Sequence, residues 1–436
     1  MHRYIICEEA TAQMETIIYK GYWWLPTSPD DKVAGALTVE PCGNLKLELF
    51  GGFGPDERFD FEREPDKVIY GRCYAPNEHM KDISLFECYS AISLNFSSDF
   101  PLTRYSCHYA LIGFHTDSMR NPDFFEASVE LAELARWCPP SNISTQIKDS
   151  SITVTLDHSE DKKTVASVVL DDGSTLKLNQ GGSYKTEYPS VYFSQYTFLE
   201  VTKENMTGID ALIAAKKFER FLSLAMLSPV EHGRITLRSR KCFQMVDDNN
   251  PYYHPIELVT SLYRTERTSS TRRNNMLFTY DDVAMNLSEM YKRFHTEMNI
   301  SQIWDNLIDS LEKKRVFTSN DFLVVIQALD GFSIRFREEQ DFLPQLTALR
   351  DEFKDIKRLK LTDDDLKAAR GSRNYYSHIL KIEKKEQKQA LEGGKLLDLT
   401  EKLRVLLICC VLNFLGMDNE KINALLDKCN NQILQS

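Results

Sequence analysis

The sequence has no hydrophobic run long enough to cross a membrane. The longest uninterrupted apolar stretch among its 436 residues is Val405 to Leu412, whereas a membrane-spanning helix needs about 20 residues. The first residues, Met1 to Glu9, reach acidic side chains before an apolar segment develops, which is not the pattern of a secretory signal. These absences predict a soluble, cytoplasmic protein with no membrane partner.

Motifs for metal, redox and nucleotide chemistry are also missing. The ten cysteines are scattered without a C-x-x-C pair, and the histidines show no H-x-x-x-H or H-E-x-x-H spacing. No G-x-x-x-x-G-K-[ST] loop is present, so nucleotide hydrolysis is not indicated. Three consecutive acids, Asp363 to Asp365, would point in three directions on a helix. We therefore expect no metal and no cofactor, and we interpret the cysteines as small buried residues of a reducing compartment.

The net charge of −11 excludes indiscriminate binding to nucleic acids, but this average hides a division along the chain. Residues 1–200 carry 17 Lys and Arg against 30 Asp and Glu, a net charge of −13. The remaining residues carry 36 against 34, a net charge of +2. An acidic front half thus precedes a nearly neutral rear half. This difference in charge affects which partners each half can bind, but it does not indicate a particular fold.

The front half has the pattern of a β-rich domain. Residues 35–40 and 45–50 flank a turn-rich connection and predict a hairpin. Further short strands are predicted at residues 152–156, 165–170, 175–178 and 191–199, with one helix at about 123–137. Of the adjacent Trp23 and Trp24, at least one is expected in the core, because neighbours in a strand point to opposite faces.

The rear half changes to a helical period. Amphipathic patterns begin at Ile209 and recur at residues 283–311, 321–338, 342–357, from 363 onward and at 396–415. The last of these is apolar on nearly all faces and is predicted to lie at the centre of a bundle. The fold class is therefore α+β and multidomain: a sandwich-like β domain over 1–204, then an all-α bundle over 205–436. A small inserted β/loop region is expected at about 229–280.

The most informative stretch is Arg373-Asn374-Tyr375-Tyr376-Ser377-His378. It follows a predicted helix start at Thr362, whose hydroxyl and the acids behind it are typical of an N-terminal cap. Gly371-Ser372 is expected to weaken or kink the helix. Ser372 could then cap a new segment, so that Arg373 lies in a first turn, where backbone N–H groups favour phosphate. Asn374 and His378, four residues apart, would share one face with Arg373 at its margin.

The bare spacing of an arginine and a histidine is a weak signal. Arg72 and His79 show a comparable spacing, but Pro76 interrupts the segment between them in the strand-rich half. The helical setting is what distinguishes Arg373 and His378. In that setting a guanidinium, which stays charged, can clamp a phosphate, and an imidazole can exchange a proton near neutral pH.

A helical bundle with Arg-Asn-x-x-x-His in a late helix resembles the HEPN superfamily of ribonucleases. The β-rich region before it, together with the motif sequence Arg-Asn-Tyr-Tyr-Ser-His, is similar to the ApeA-type abortive-infection proteins of bacteria. The resemblance covers essentially the whole chain. It implies an anti-phage toxin that cleaves host RNA without a metal, with transfer RNA among the candidate substrates, and whose front domain controls activation.

The resemblance also implies a homodimer or higher homo-oligomer that joins two copies of the motif in one RNA-cleaving cleft. By motif position, Arg373 and His378 are the catalytic pair and Asn374 is their polar companion. RNA and a phage-derived trigger are the expected partners. Residues that we expect to contact RNA flank the motif: Arg370, Tyr375, Lys381, Lys384 and Lys385.

Two other functions stay open at this point. The chain could be a non-catalytic interaction protein, in which the helical domain only dimerises and the β domain binds a partner. A carbohydrate-binding β sandwich is the third reading, prompted by the two adjacent tryptophans and the many acids of the front half.

Overall fold

Strands dominate the chain as far as Thr260, and helices dominate it from Tyr280 onward. The computed structural model describes residues 16–41, 43–53, 67–76, 79–91, 102–131, 133–148, 151–157, 159, 163–247, 250–261, 272–311, 317–337, 341–377 and 390–431. Its strands are β1 Ile17–Trp24, β2 Val33–Val39, β3 Leu45–Leu49, β4 Ile69–Tyr74, β5 Lys81–Ala91, β6 Thr103–Ile112, β7 Phe124–Leu131, β8 Ile143–Lys148, β9 Ser151–Leu156, β10 Thr164–Val169, β11 Thr175–Glu187, β12 Ser190–Met206, β13 His232–Arg238, β14 Phe243–Asp247, β15 Asn250–Tyr253 and β16 Ile256–Thr260.

Two helices lie among these strands, and eight follow them in the described residues. In chain order they are α1 Leu134–Trp137, α2 Gly208–Met226, α3 Tyr280–Val283, α4 Leu287–Thr296, α5 Ser301–Leu311, α6 Ser319–Phe336, α7 Phe342–Glu352, α8 Asp363–Ser377, α9 Gly393–Phe414 and α10 Asn419–Lys428. None of the described helices is long and apolar enough to cross a membrane.

The first six strands close into an antiparallel barrel. Their order is β6-β3-β2-β1-β4-β5, and β5 pairs with β6 to complete the ring. Alternate residues point inward and fill the barrel with apolar side chains, among them Tyr19, Trp23, Leu37, Leu47 and Leu85. The predicted hairpin at residues 35–50 is confirmed as the β2–β3 pair, and Trp23 is the core member of the tryptophan pair.

Two glycines make room for the large ring of Trp23 and for the close approach of β1 and β4. A Cβ added to Gly71 would lie 2.4 Å from ring carbons of Trp23, and one added to Gly21 would lie 2.2 Å from the backbone oxygen of Arg72. Both distances are far below van der Waals contact. The absence of a side chain at Gly71 and Gly21 is therefore necessary for the Trp23 ring to fit inside the barrel and for β1 and β4 to pair.

We expect Gly71→Ala to destabilise the protein by about 1–3 kcal/mol, because the new methyl group forces the fully buried Trp23 ring to move. Urea unfolding followed by tryptophan fluorescence measures the change. Gly233→Ala is the matched control, since its new Cβ would meet only Glu130 at 3.4 Å and beyond. Equal stability of Gly71→Ala and wild type would contradict this account of the barrel.

Beyond the barrel the sheet continues in the order β6-β16-β13-β7-β12-β11-β10, so that twelve described strands form one sheet. β13 and β16 follow α2 in the chain but pair with β7 and β6. These two strands lie in the small inserted β/loop region predicted at about 229–280, and they complete the large sheet. The assignment of this region as an insertion in the rear domain stays a prediction. The division at residues 204/205 stays a prediction.

The helix expected at 123–137 is wrong: Phe124–Leu131 is the central strand β7, and only Leu134–Trp137 is helical.

A buried carboxylate fastens α2 to β13. Glu219 Oε1 accepts a hydrogen bond from the backbone N–H of His232 at 2.6 Å and contacts His232 Nδ1, and Glu219 Oε2 lies 2.9 Å from Lys216 Nζ. The side chains of Glu219 and His232 are only 2% and 3% exposed. Burial by itself raises the pKa of Glu219, but the hydrogen bond and charge of His232 and the charge of Lys216 bring it below its ordinary value.

Helices α4 to α10 form the rear region around α9, whose residues Leu403 to Leu412 are all buried. This confirms the predicted central helix. One continuous apolar core links these helices to α2 and to the open part of the sheet, and the hydroxyl of Tyr280 donates to the backbone oxygen of Val165 in β10. The expected fold class, a mostly-β region followed by a helical region, is confirmed; the front region is built around a closed barrel.

Candidate active site

Helix α8 carries the arginine motif and starts as the sequence predicts. Thr362 Oγ1 accepts a hydrogen bond from the backbone N–H of Asp365, and the Asp365 carboxylate accepts one in return from the backbone N–H of Thr362. This reciprocal arrangement satisfies N–H groups that a helix start leaves unpaired. The helix then runs without a break from Asp363 to Ser377.

The expected kink at Gly371-Ser372 is wrong. Both residues are buried inside the continuous helix, and Ser372 Oγ accepts a hydrogen bond from the backbone N–H of Leu391 instead of capping a new segment. Arg373 consequently lies well inside a continuous helix, where the backbone N–H groups are paired within the helix and do not attract an anion. The packing of α8 against its neighbours outweighs the weak helix propensity of glycine and serine.

Arg373 is held by two residues from other helices. Its Nη2 donates to Asp330 Oδ2 of α6 at 2.9 Å, and its guanidinium carbon lies 4.4 Å from the ring centroid of Phe342 at the start of α7. The carboxylate and the ring fix the plane of the guanidinium, while the side chain stays 35% exposed. An arginine has five N–H donors, so this geometry leaves others for an incoming phosphate.

Sequence reasoning missed Asp330 and Phe342. Asp330 is the only acid between Val324 and Arg337, in a helix that buries Val325, Ile326, Leu329 and Phe332. A lone carboxylate on a mostly buried helix destabilises the fold unless a cation lies near it. This isolated acid was the feature of the sequence that could have indicated a cationic partner for Asp330. For Phe342 no signal distinguished it from an ordinary core aromatic.

The other motif residues divide into described and undescribed ones. Asn374 is half-buried, and its side chain makes no hydrogen bond with another described residue. Arg370 is exposed without a carboxylate partner in the described part of the chain. His378, Lys381, Lys384 and Lys385 lie outside the described residues. The expected shared face of Asn374 and His378 therefore stays a prediction.

The two tyrosines of the motif pack within the protein. The hydroxyl of Tyr376 donates to the backbone oxygen of Leu391 at 2.8 Å, and its ring meets Phe322 and Tyr375 edge to face. Burial raises the pKa of Tyr376. With Ser372 Oγ, this tyrosine attaches both backbone polar groups of Leu391 to α8. Leu391 is thus fastened to α8 by the side chains of Ser372 and Tyr376.

Each of the three consecutive acids at the start of α8 has its own cationic partner. Asp363 pairs with Arg350, Asp364 with Lys367 at 3.2 Å, and Asp365 with Lys402 at 3.3 Å. They diverge as the helical geometry predicts. Within the ranges that the structure describes, no group of three or more His, Cys, Asp or Glu side chains could hold a metal ion.

Most of the described cysteines are buried thiols. Eight are free thiols and all but Cys242 are buried. Burial raises the pKa of Cys73, Cys138 and Cys409 to about 12 each, so these thiols stay protonated near neutral pH. Their expected role as small core residues is confirmed for these positions.

Comparison with known families assigns both regions of the chain. The model of ApeA N-terminal domain 1 matches residues 18–294, and the model of the Apea-like HEPN domain matches residues 323–421. The chain is thus a two-region protein, with a β-rich ApeA region in front of a HEPN helical domain that contains Arg373. It belongs to the ApeA family. HEPN domains are generally ribonucleases, and this pair of domains fits anti-phage defence by a HEPN nuclease.

No curated protein and no solved structure matches the chain.

Proposed function

We propose that this protein is a metal-independent endoribonuclease that stops phage infection by cleaving host RNA, with transfer RNA as one candidate substrate. The observation that carries the proposal is the position of Arg373, which Asp330 and Phe342 hold half-exposed within the HEPN match. A phage-derived trigger acting on the β-rich region would release the activity. In this proposal, the acidic front region senses the trigger and the helical region cleaves RNA.

The chemistry uses the ribose 2′-OH as the nucleophile. Its oxygen attacks the adjacent phosphorus, its proton passes to a base, and the bond from phosphorus to the 5′-oxygen breaks as that oxygen receives a proton. The products carry a 2′,3′-cyclic phosphate and a 5′-hydroxyl. Arg373 clamps the phosphate and stabilises its developing charge, and His378 is the proton-transferring group. Asn374, whose side chain is not engaged by other described residues, orients His378 or the 2′-OH.

The reaction needs two proton transfers, whereas one chain supplies one copy of the motif. A two-fold symmetric homodimer would bring two arginines and two histidines to one cleft. RNA would approach over Arg370, which is exposed at the same helix, and over Lys381, Lys384 and Lys385. Tyr375 is half-buried against Tyr376, so only the outer part of its ring would be available to a base.

Asp330 is a positioning residue in this proposal. We expect Asp330→Ala to lower kcat about 10²-fold with a smaller change in KM, because a freed guanidinium loses its orientation in the transition state. Steady-state cleavage of a fluorogenic RNA by the activated protein measures both constants. Asp330→Asn keeps a hydrogen-bond acceptor and should recover part of kcat.

Asp341→Ala is the matched control for Asp330, since it removes an exposed carboxylate beside Phe342 that does not contact Arg373. Its kcat should equal that of wild type. A wild-type kcat for Asp330→Ala, with cleavage intact, would show that the ion pair with Arg373 has no part in catalysis.

A further inference from the structure

The outer face of the barrel carries a row of aromatic and cationic side chains on two paired strands. Tyr19, Trp23 and Cys73 point inward, so the residues that directly precede and follow them in β1 and β4 point outward. Directly opposed across β1 and β4 are Lys20 and Tyr74, Tyr22 and Arg72, and Trp24 and Tyr70. We call these six residues the β1–β4 face.

The two ends of this face differ in how closely the rings pack. At one end Tyr70 stacks on His115, with ring centroids 4.5 Å apart, and Trp24 meets both rings edge to face. Lys32 lies over the Trp24 ring at 5.2 Å. At the other end, Tyr22 and Tyr74 are 58% and 55% exposed. The rings at the first end are fixed in place, and those at the second are available for stacking.

The cations of the β1–β4 face are paired less completely than Lys46 and Arg104 on other strands of the barrel. On β3 and β6, Lys46 forms an ion pair with Glu40, and Arg104 with Glu48 at 2.7 Å. Lys20 is exposed and has no carboxylate partner in the described ranges. Arg72 has Asp82 only at 3.9 Å, donates instead to Met80 Sδ, and keeps 65% of its side chain exposed. In a half of the chain with net charge −13, this face is a local exception.

We infer that the β1–β4 face binds single-stranded RNA, with Tyr22 and Tyr74 stacking on bases and Lys20 and Arg72 contacting phosphates. Alternating rings and cations are what a single strand requires, since every base has a stackable face and every linkage a negative charge. A neutral carbohydrate would use the rings but would gain nothing from the incompletely paired cations. An apolar protein surface would have to bury Lys20 and Arg72 at a cost. The complementary charge therefore favours RNA.

The test measures binding by the full-length protein, without relying on catalysis. The probe is a fluorescein-labelled 2′-O-methyl oligouridylate of roughly twelve nucleotides, within the span of such binding sites. It lacks the 2′-hydroxyl nucleophile and cannot be cleaved. We expect Tyr22→Ala and Tyr74→Ala each to raise the Kd about fivefold or more, the loss of one stacked base. Lys20→Ala should lower the slope of log Kd against log salt by about 0.7.

Matched controls are available in the same region. Tyr184 and Tyr188, 68% and 100% exposed on the β11–β12 hairpin, test whether any exposed tyrosine matters; their alanine variants should bind as wild type. Lys46→Ala removes an already paired cation and should leave the salt slope unchanged. A duplex of the same length, whose bases are covered, should bind about tenfold more weakly than the single strand.

Three outcomes would overturn the inference: no binding of the probe by wild type, unchanged Kd in both face variants, or equal losses in the hairpin controls. Binding of a neutral glucan oligosaccharide that depends on Tyr22 and Tyr74, without binding of the probe, would assign the face to carbohydrate instead. The proposed nuclease is judged separately, because the probe is not a substrate. The same titration with Arg373→Ala should retain the effects of Tyr22 and Tyr74.

Discussion

RNA cleavage and phage protection should both be lost when either Arg373 or His378 is replaced by alanine. Loss of His378 removes the proton transfer, which contributes about 10²–10⁴-fold to the rate. Loss of Arg373 removes the positive charge that Asp330 and Phe342 hold in place, and a preorganised electrostatic contact of this kind is worth about 10²–10³-fold. Total RNA incubated with activated protein, followed by mapping of the new ends, measures the loss. Cyclic-phosphate and 5′-hydroxyl ends in the wild-type reaction identify attack by the 2′-OH.

The matched control for Arg373 is Arg337. It also pairs with a carboxylate, Glu352 at 2.8 Å, and lies over an aromatic ring, that of Phe332 at 5.5 Å. Arg337→Ala should therefore lose the same kinds of contact without loss of cleavage. Full protection from phage by both Arg373→Ala and His378→Ala would refute the nuclease proposal. So would intact RNA under triggering conditions, which would favour a non-catalytic interaction protein.

Replacement of Glu219 by alanine should cost about 1–3 kcal/mol of stability at neutral pH for each buried donor that loses its acceptor. The backbone N–H and the ring of His232 would lose their acceptor in a site that is almost fully buried. Because this contact joins α2 to β13, the connection between the large sheet and the apolar core weakens with it. Urea unfolding of wild type and variant measures the difference.

The same carboxylate predicts how this stability depends on pH. The pKa of Glu219 is lower in the folded protein than its ordinary value near 4.3, so the folded state favours the charged form. Its contribution is complete above the unfolded pKa and is lost as the pH falls through the folded pKa. The stability gap between wild type and Glu219→Gln should therefore narrow on acidification.

Glu204→Ala is the control for Glu219, because Glu204 forms an ion pair with Arg240 at the exposed surface. Exposed pairs of this kind contribute little to stability, and the variant should unfold like wild type. A stability loss of Glu219→Ala no larger than that of Glu204→Ala would contradict the account of α2.

Much of the architecture could be predicted because local patterns agreed with the tertiary structure. The alternation in β2 and β3, the cap at Thr362 and the apolar length of α9 each specify one element and its buried side. β7 was missed because Ala127, Glu130, Leu131, Ala132 and Glu133 resemble a helix in composition. Its alternation of Ala127, Val129 and Leu131 toward the core gives the strand. Pairing partners far along the chain decide such cases, and they placed β13 and β16 in the sheet.

The sequence was sufficient to predict Arg373 as a candidate site residue, but not the residues that hold its side chain. Arg373 stood out because the helical setting and the family resemblance agreed. Its orientation depends on Asp330 and Phe342, 43 and 31 positions earlier in the sequence, and only folding brings these helices together. The kink at Gly371 was expected from intrinsic propensity, which burial of that glycine overrides.

The position of β13 and β16 between β7 and β6 has a consequence for how such proteins can exchange parts in evolution. A recombination point after residue 204 would deliver a front module with two interior strands exposed along their edges, which invites aggregation. The neighbouring module would inherit two strands with no sheet to join. Any exchange that keeps both products foldable has to cross over after Thr260, so the barrel is inherited together with α2, β13 and β16.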